Sequence, residues 1–91
     1  MRRLIWAPRA LVDLIEIQVY LNGFNPSAAR RFFIMLKAAG DSLNAFPERG
    51  RPIGKGRREL TIIPPYVIRY RVTDVDVRIL SVRHGARRPK P

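Results

Sequence analysis

Tyr66-Val67-Ile68-Arg69-Tyr70-Arg71-Val72 and Val77-Arg78-Ile79-Leu80-Ser81-Val82-Arg83, joined by Thr73-Asp74-Val75-Asp76, decide how this chain folds. Both runs are rich in β-branched and aromatic residues, and a polar turn separates them, so they read as an antiparallel hairpin. Side chains alternate across a strand. In the first run this puts Tyr66, Ile68, Tyr70 and Val72 on a core face and Val67, Arg69 and Arg71 on the opposite face. In the second run both sets are mixed: Val77 and Ile79 share a side with Ser81 and Arg83, while Leu80 and Val82 share one with Arg78 and His84. Periodicity leaves the faces of that strand open. If Arg83 lies beside Arg69 and Arg71, the sheet carries an arginine cluster; otherwise these arginines lay their stems over a half-exposed sheet.

Upstream of the hairpin, Arg57 to Ile63 reads as another strand, broken by Pro64-Pro65. Glu48 to Gly56 (ERGRPIGKG) is dense in Gly, Pro and cations and is expected to be an exposed loop. Further upstream lie two helical patterns. Ala10, Leu14, Ile17 and Leu21, with Leu11 and Ile15, predict a helix over 9–21, entered through Pro8 and closed by Asn22-Gly23; Asp13 and Glu16 are expected on its solvated face. Asn25-Pro26 opens a second helix that runs to about Ala45, with Ala29, Phe32, Phe33, Leu36 and Leu43 on one stripe. Gly40 and Ala39 are expected where the two helices approach. The short connection from Asn22 to Asn25 makes the helices an antiparallel hairpin. With Arg3 to Trp6 as a first strand, the order is β-α-α-β-β-β. The expected class is α+β, with the N-terminal strand and helical hairpin packed on one face of a small antiparallel sheet.

The chain has 91 residues, enough for one domain over 1–91, with 87–91 as a basic tail. It has no cysteine, which excludes disulfides and thiolate metal sites and fits a reducing cytoplasm. The apolar start ends at Pro8-Arg9, too soon for a signal-peptide core, and no run approaches the ~20 apolar residues of a membrane span. Eighteen Lys and Arg against seven Asp and Glu give a net charge of +11, and fifteen of the cations are arginine. Such an excess calls for a polyanion or an acidic protein as partner. No glycine loop with Lys-Ser or Lys-Thr, no metal-ligand spacing and no defensible carboxylate pair is present, so neither cofactor nor metal is expected.

Several pieces, in order along the chain, resemble the ParE branch of the RelE/ParE toxin superfamily. They are Trp6-Ala7 with Ala10, Asp13-Leu14, Ile17 and Tyr20; Asn25-Pro26 with Ala28-Ala29, Phe32 and Leu36; Pro47, Gly50-Arg51 and Arg58-Glu59-Leu60; and Ile68, Tyr70, Val77, Ile79-Leu80, Val82 and His84-Gly85-Ala86-Arg87. The resemblance implies the toxin of a type II toxin–antitoxin pair, held inactive by a cognate acidic antitoxin. It implies a small β-α-α-β-β-β domain whose ParE relatives inhibit DNA gyrase, whereas the RelE branch cuts mRNA on the ribosome.

The residues bear on that choice. Ribonucleolytic cleavage needs a base for the ribose 2′-hydroxyl, cations for the phosphate and an acid for the leaving oxygen. The candidates are Glu59, Arg69, Arg83 and the sole histidine, His84. The mRNA-cutting relatives often carry a tyrosine near the C-terminus; here no aromatic residue follows Tyr70, so that end lacks a base-stacking platform. The reading that follows is a gyrase inhibitor acting by binding, with the ribosome-dependent endonuclease as the alternative and a basic nucleic-acid-binding module without toxicity as a third. The candidate antitoxin- or target-binding cations are Arg49, Arg51, Lys55, Arg57, Arg58, Arg69, Arg71, Arg83, His84, Arg87 and Arg88. An apolar groove over the helical hairpin and an exposed sheet edge are the expected seats for an antitoxin helix and strand.

Overall fold

A computed structural model describes residues 2–85 of the chain. The expected basic tail, with Arg87 and Arg88, lies outside the described residues. The elements are β1 (Arg3–Trp6), α1 (Pro8–Asn22), α2 (Pro26–Asp41), a 3-10 turn (Ser42–Asn44), β2 (Arg51–Gly54), β3 (Arg57–Ile63), β4 (Tyr66–Val72) and β5 (Asp76–His84). The α+β architecture with a helical hairpin on one face of the sheet is as the sequence reads. Two details differ. The sheet has five strands in the order β1-β5-β4-β3-β2, and β1 joins β5 in parallel, so the sheet is mixed.

The fifth strand, β2, falls inside the stretch expected to be a loop. Pro52 and Gly54 argue against a strand, but an edge strand tolerates proline because one side of its backbone pairs with nothing. Gly54 pairs with Arg57 across the two residues Lys55 and Gly56, whose φ values are 57° and 74°. Positive φ at both central positions makes a type I′ hairpin turn, which Gly56 adopts without steric cost.

Helix α1 does not stop by a left-handed glycine, as Asn22-Gly23 suggested. Gly23 has φ −69° and ψ −16°, and the chain turns extended at Asn25, φ −156° and ψ 96°. Pro26 forces that extension on the residue before it. Asn25 then caps α2 by accepting a bond from the Ala28 amide at 3.1 Å. Gly40 sits against β1, not at the helix crossing: a Cβ there would run into the indole of Trp6. Trp6 Nε1 donates to Asp41 Oδ1 at 3.0 Å, and Lys37 holds the other oxygen at 2.9 Å.

Leu14, Leu36, Leu43, Ile68, Tyr70, Val77 and Ile79 are the largest fully buried side chains. They fill the layer between the helices and the sheet. The mixed pattern of β5 has a structural cause. Its register against β4 steps from Arg69↔Ser81 to Tyr70↔Ile79, so Leu80 is an extra residue, a β-bulge. Val77 and Ile79 face the core before the bulge, and Val82 faces it after. A strand that changes phase midway cannot show one alternation.

Asp13 is buried on the sheet side of α1, not solvated on its outer face. Its Oδ2 accepts from the Val82 amide, two residues past the bulge, at 2.9 Å, and its Oδ1 lies 3.3 Å from Arg9 Nε. The carboxylate thus ties the first helix to the last strand. Asp13→Ala leaves a buried amide without an acceptor and is expected to cost about 1–3 kcal/mol of stability. Denaturant titration of the variant checks this; an unchanged midpoint would deny the tie its role.

Candidate functional site

Alternation and register divide the predicted site residues between two faces. Glu59, Arg69 and Arg51 meet on the sheet face turned away from the helices. Register sets Arg51 opposite Glu59 and Glu59 opposite Arg69. Arg51 donates to Glu59 Oε1 at 3.0 Å, and Arg69 donates to Oε2 through its terminal nitrogen at 2.7 Å and through Nε at 3.3 Å. Both oxygens of the carboxylate are taken up by guanidinium groups, and its side chain is only 14% exposed. Arg57 and Arg71 lie opposite one another on the same face, and Arg83, paired with Val67, joins them. The arginine cluster left open by periodicity is therefore present.

His84 is on the other side of the sheet. It is the last residue of β5 and pairs with Tyr66, whose ring stacks edge-on against Phe32 of α2 at 5.6 Å and against His84 at 5.5 Å. The histidine lines a cleft of about 300 Å³ with Arg9, Glu16 and Tyr20 of α1. Arg83 also lines this cleft, whereas Glu59 and Arg69 stand on the other face of the sheet, so the four candidate nuclease residues do not form one cluster.

The remaining cations are placed by a buried hydroxyl. Tyr70 is fully buried; its oxygen accepts from the Gly50 amide at 2.8 Å and donates to the Pro47 carbonyl at 2.7 Å. Burial pushes this phenol above its ordinary range, while the Gly50 bond and the charges of Arg58 and Arg49 pull the other way. The loop it fixes carries Arg49, which donates to Ser42 Oγ at 2.6 Å. Arg58 points toward the helical side and donates to the Gly50 carbonyl at 2.7 Å. Lys55 is exposed at the tip of the β2–β3 turn. These residues present cations at the rim of the sheet, separate from the face that holds Glu59.

Three functional features escaped the sequence. Arg78 lies opposite Arg71 and extends the cationic face; its alternation was ambiguous until the bulge was known. Asp13 looked like any acidic residue on a helix. Tyr70 was recognisable as core, but nothing local showed what its hydroxyl would hold.

The helices carry a different chemistry outward. Leu11, Val12, Ile15 and Val19 of α1 and Ile34 and Met35 of α2 are exposed, between 42% and 67%. Leu11, Val12, Ile15 and Val19 recur at helical spacing along one side of α1. No described helix is long and apolar enough to cross a membrane, and no described group of acidic or histidine residues is arranged to hold a metal ion.

The family model described as the ParE toxin of the type II toxin–antitoxin system parDE matches residues 4–89. Toxin RelE2 of Caulobacter vibrioides is 49% identical over 87 residues, covering 96% of this chain and 99% of the relative. Toxin RelE1 of the same organism is 40% identical over 80 residues, covering 85% and 86%. A solved structure described as the chromosomal ParDE TA system from P. aeruginosa superposes with a TM-score of 0.82 at 26% identity, covering 92% of this chain and 96% of that one.

Proposed function

This chain belongs to the ParE toxin family of type II toxin–antitoxin systems, and we propose from that premise that it poisons by binding, with DNA gyrase as its target and a cognate acidic antitoxin as its neutralising partner. One observation carries the reading: the nuclease candidates Glu59 and His84 do not stand together. Both oxygens of Glu59 are engaged by Arg51 and Arg69, and His84 stands across the sheet from them. A general base and a general acid have to flank the same phosphate. A binding poison needs neither.

The antitoxin reading rests on the exposed apolar side chains of α1 and α2, which suit an amphipathic segment, and on the cations at the rim, which suit its carboxylates. The names RelE1 and RelE2 borne by relatives favour the second reading, a ribosome-dependent mRNA endonuclease. It would use Glu59 and Arg69, which are in contact, with Arg83.

Purified chain added to gyrase, ATP and plasmid is expected to block supercoiling and accumulate linear DNA, while translated mRNA stays whole. Transcripts cut on the ribosome with DNA untouched would replace this reading by the nuclease one. Deletion of 86–91 removes Arg87 and Arg88 but keeps β5 through His84 and the bond from the Gly85 amide to the Pro65 carbonyl. It is expected to weaken growth arrest with little change in thermal midpoint. Undiminished arrest would detach that segment from the target.

A further inference from the structure

We propose that the sheet face turned away from the helices binds the phosphodiester backbone of duplex DNA through Arg57, Arg71 and Arg78. This goes beyond the toxin reading and does not depend on which target the toxin has. The three arginines stand in one row on adjacent strands: Arg57 of β3 is the register partner of Arg71 of β4, which is the partner of Arg78 of β5. Adjacent strands are about 4.8 Å apart, so the row spans about 10 Å.

Like charges directly opposite one another destabilise a sheet unless something neutralises them. Among the described residues no carboxylate is paired with this row. Glu59 is engaged by Arg51 and Arg69, and neither Asp76, whose Oδ1 accepts from the Thr73 hydroxyl at 2.9 Å, nor Glu48 forms an ion pair with the row. A row of planar donors with no internal acceptor fits an external anion with repeated oxygens, and phosphate matches the guanidinium fork.

The surroundings choose among polyanions. Protein interfaces centre on aromatic or large apolar anchors. Along this row the apolar neighbours Ile5 and Val67 are partly buried, and the exposed apolar residues of the helices are on the opposite side. That disfavours an acidic protein. Single strands bind by stacking their bases on aromatic rings. The tyrosines of β4, Tyr66 and Tyr70, are both buried in the core and leave this face without a platform. A duplex, gripped by its backbone alone, needs only the cations. A partner seated on the helices would leave the strip open, so the neutralised toxin should still hold DNA.

The test is fluorescence anisotropy of a short labelled duplex against the full chain, repeated across about 50–200 mM salt, where phosphate contacts dominate the slope. Arg71→Gln/Arg78→Gln is expected to flatten log K against log salt by about 2, close to one unit for each phosphate no longer neutralised. Both residues are exposed, so the fold should stand, which a thermal melt verifies. Arg30→Gln/Arg31→Gln removes the same charge from the exposed side of α2 and should leave the slope unchanged. Equal flattening by both pairs, no flattening by the row pair, or tighter binding of polyglutamate or single-stranded RNA than of the duplex would each overturn the proposal.

Discussion

Tyr70→Phe is expected to destabilise the protein by about 2 kcal/mol or more, although it deletes a single oxygen. That oxygen serves two backbone groups of the 47–50 loop, the Gly50 amide and the Pro47 carbonyl. A buried polar group left unpaired costs about 1–3 kcal/mol. A loss of this size is a large share of the ~5–15 kcal/mol that holds a small domain together, and it should lower the thermal midpoint by about 10 °C. Gly50→Ala should act on the same junction, since a Cβ would meet the Tyr70 hydroxyl and the Glu59 carbonyl at 2.7 Å.

The pH dependence gives an independent reading of this hydroxyl. Burial holds the folded phenol above its ordinary pKa of about 10, so the unfolded chain ionises first. The stability it contributes is fully present below pH ~10 and is lost as pH rises from there through the folded value. Urea midpoints measured between pH 8 and 11 should therefore converge between wild type and Tyr70→Phe at the alkaline end. A constant difference would mean that the hydroxyl does not titrate with folding.

Glutamate at both Ile15 and Ile34 is expected to cost at least 30-fold in affinity for the antitoxin while leaving the toxin's own activity in place. Both side chains are 54% exposed, so each substitution should change stability by no more than about 0.5 kcal/mol. At an interface, the loss of a buried apolar anchor costs about 2 kcal/mol, and a desolvated charge adds to it. Calorimetric titration with the antitoxin measures the affinity, and co-expression reads neutralisation. Full neutralisation of the double variant would place the antitoxin elsewhere.

The parts of the fold that obey one period were legible. The β4 alternation named its core face correctly, and the two helical stripes placed Ala10, Leu14, Ala29 and Leu36 in the interior. What escaped depends on contacts distant in sequence or on broken period. The bulge at Leu80 shifts β5 by one residue, which scrambled its faces and hid Arg78. Strand β2 exists because β3 offers an edge to pair with, against the local signal of Pro52 and Gly54. Asp13 is buried because the Val82 amide is there to satisfy it, 69 residues further along. The candidate site shows the same division. Type and charge nominated Glu59, Arg69, Arg83 and His84 together, but only the register shows that the histidine is on the opposite side of the sheet.

On the proposed reading, this toxin arrests growth by binding and not by cleaving RNA. Controlled expression of the chain in a bacterium, with the DNA-damage response and transcript integrity followed in the same culture, tests it most directly. Arrest with an induced damage response and intact transcripts is expected. Arrest with transcripts cut within codons and no damage response would contradict it.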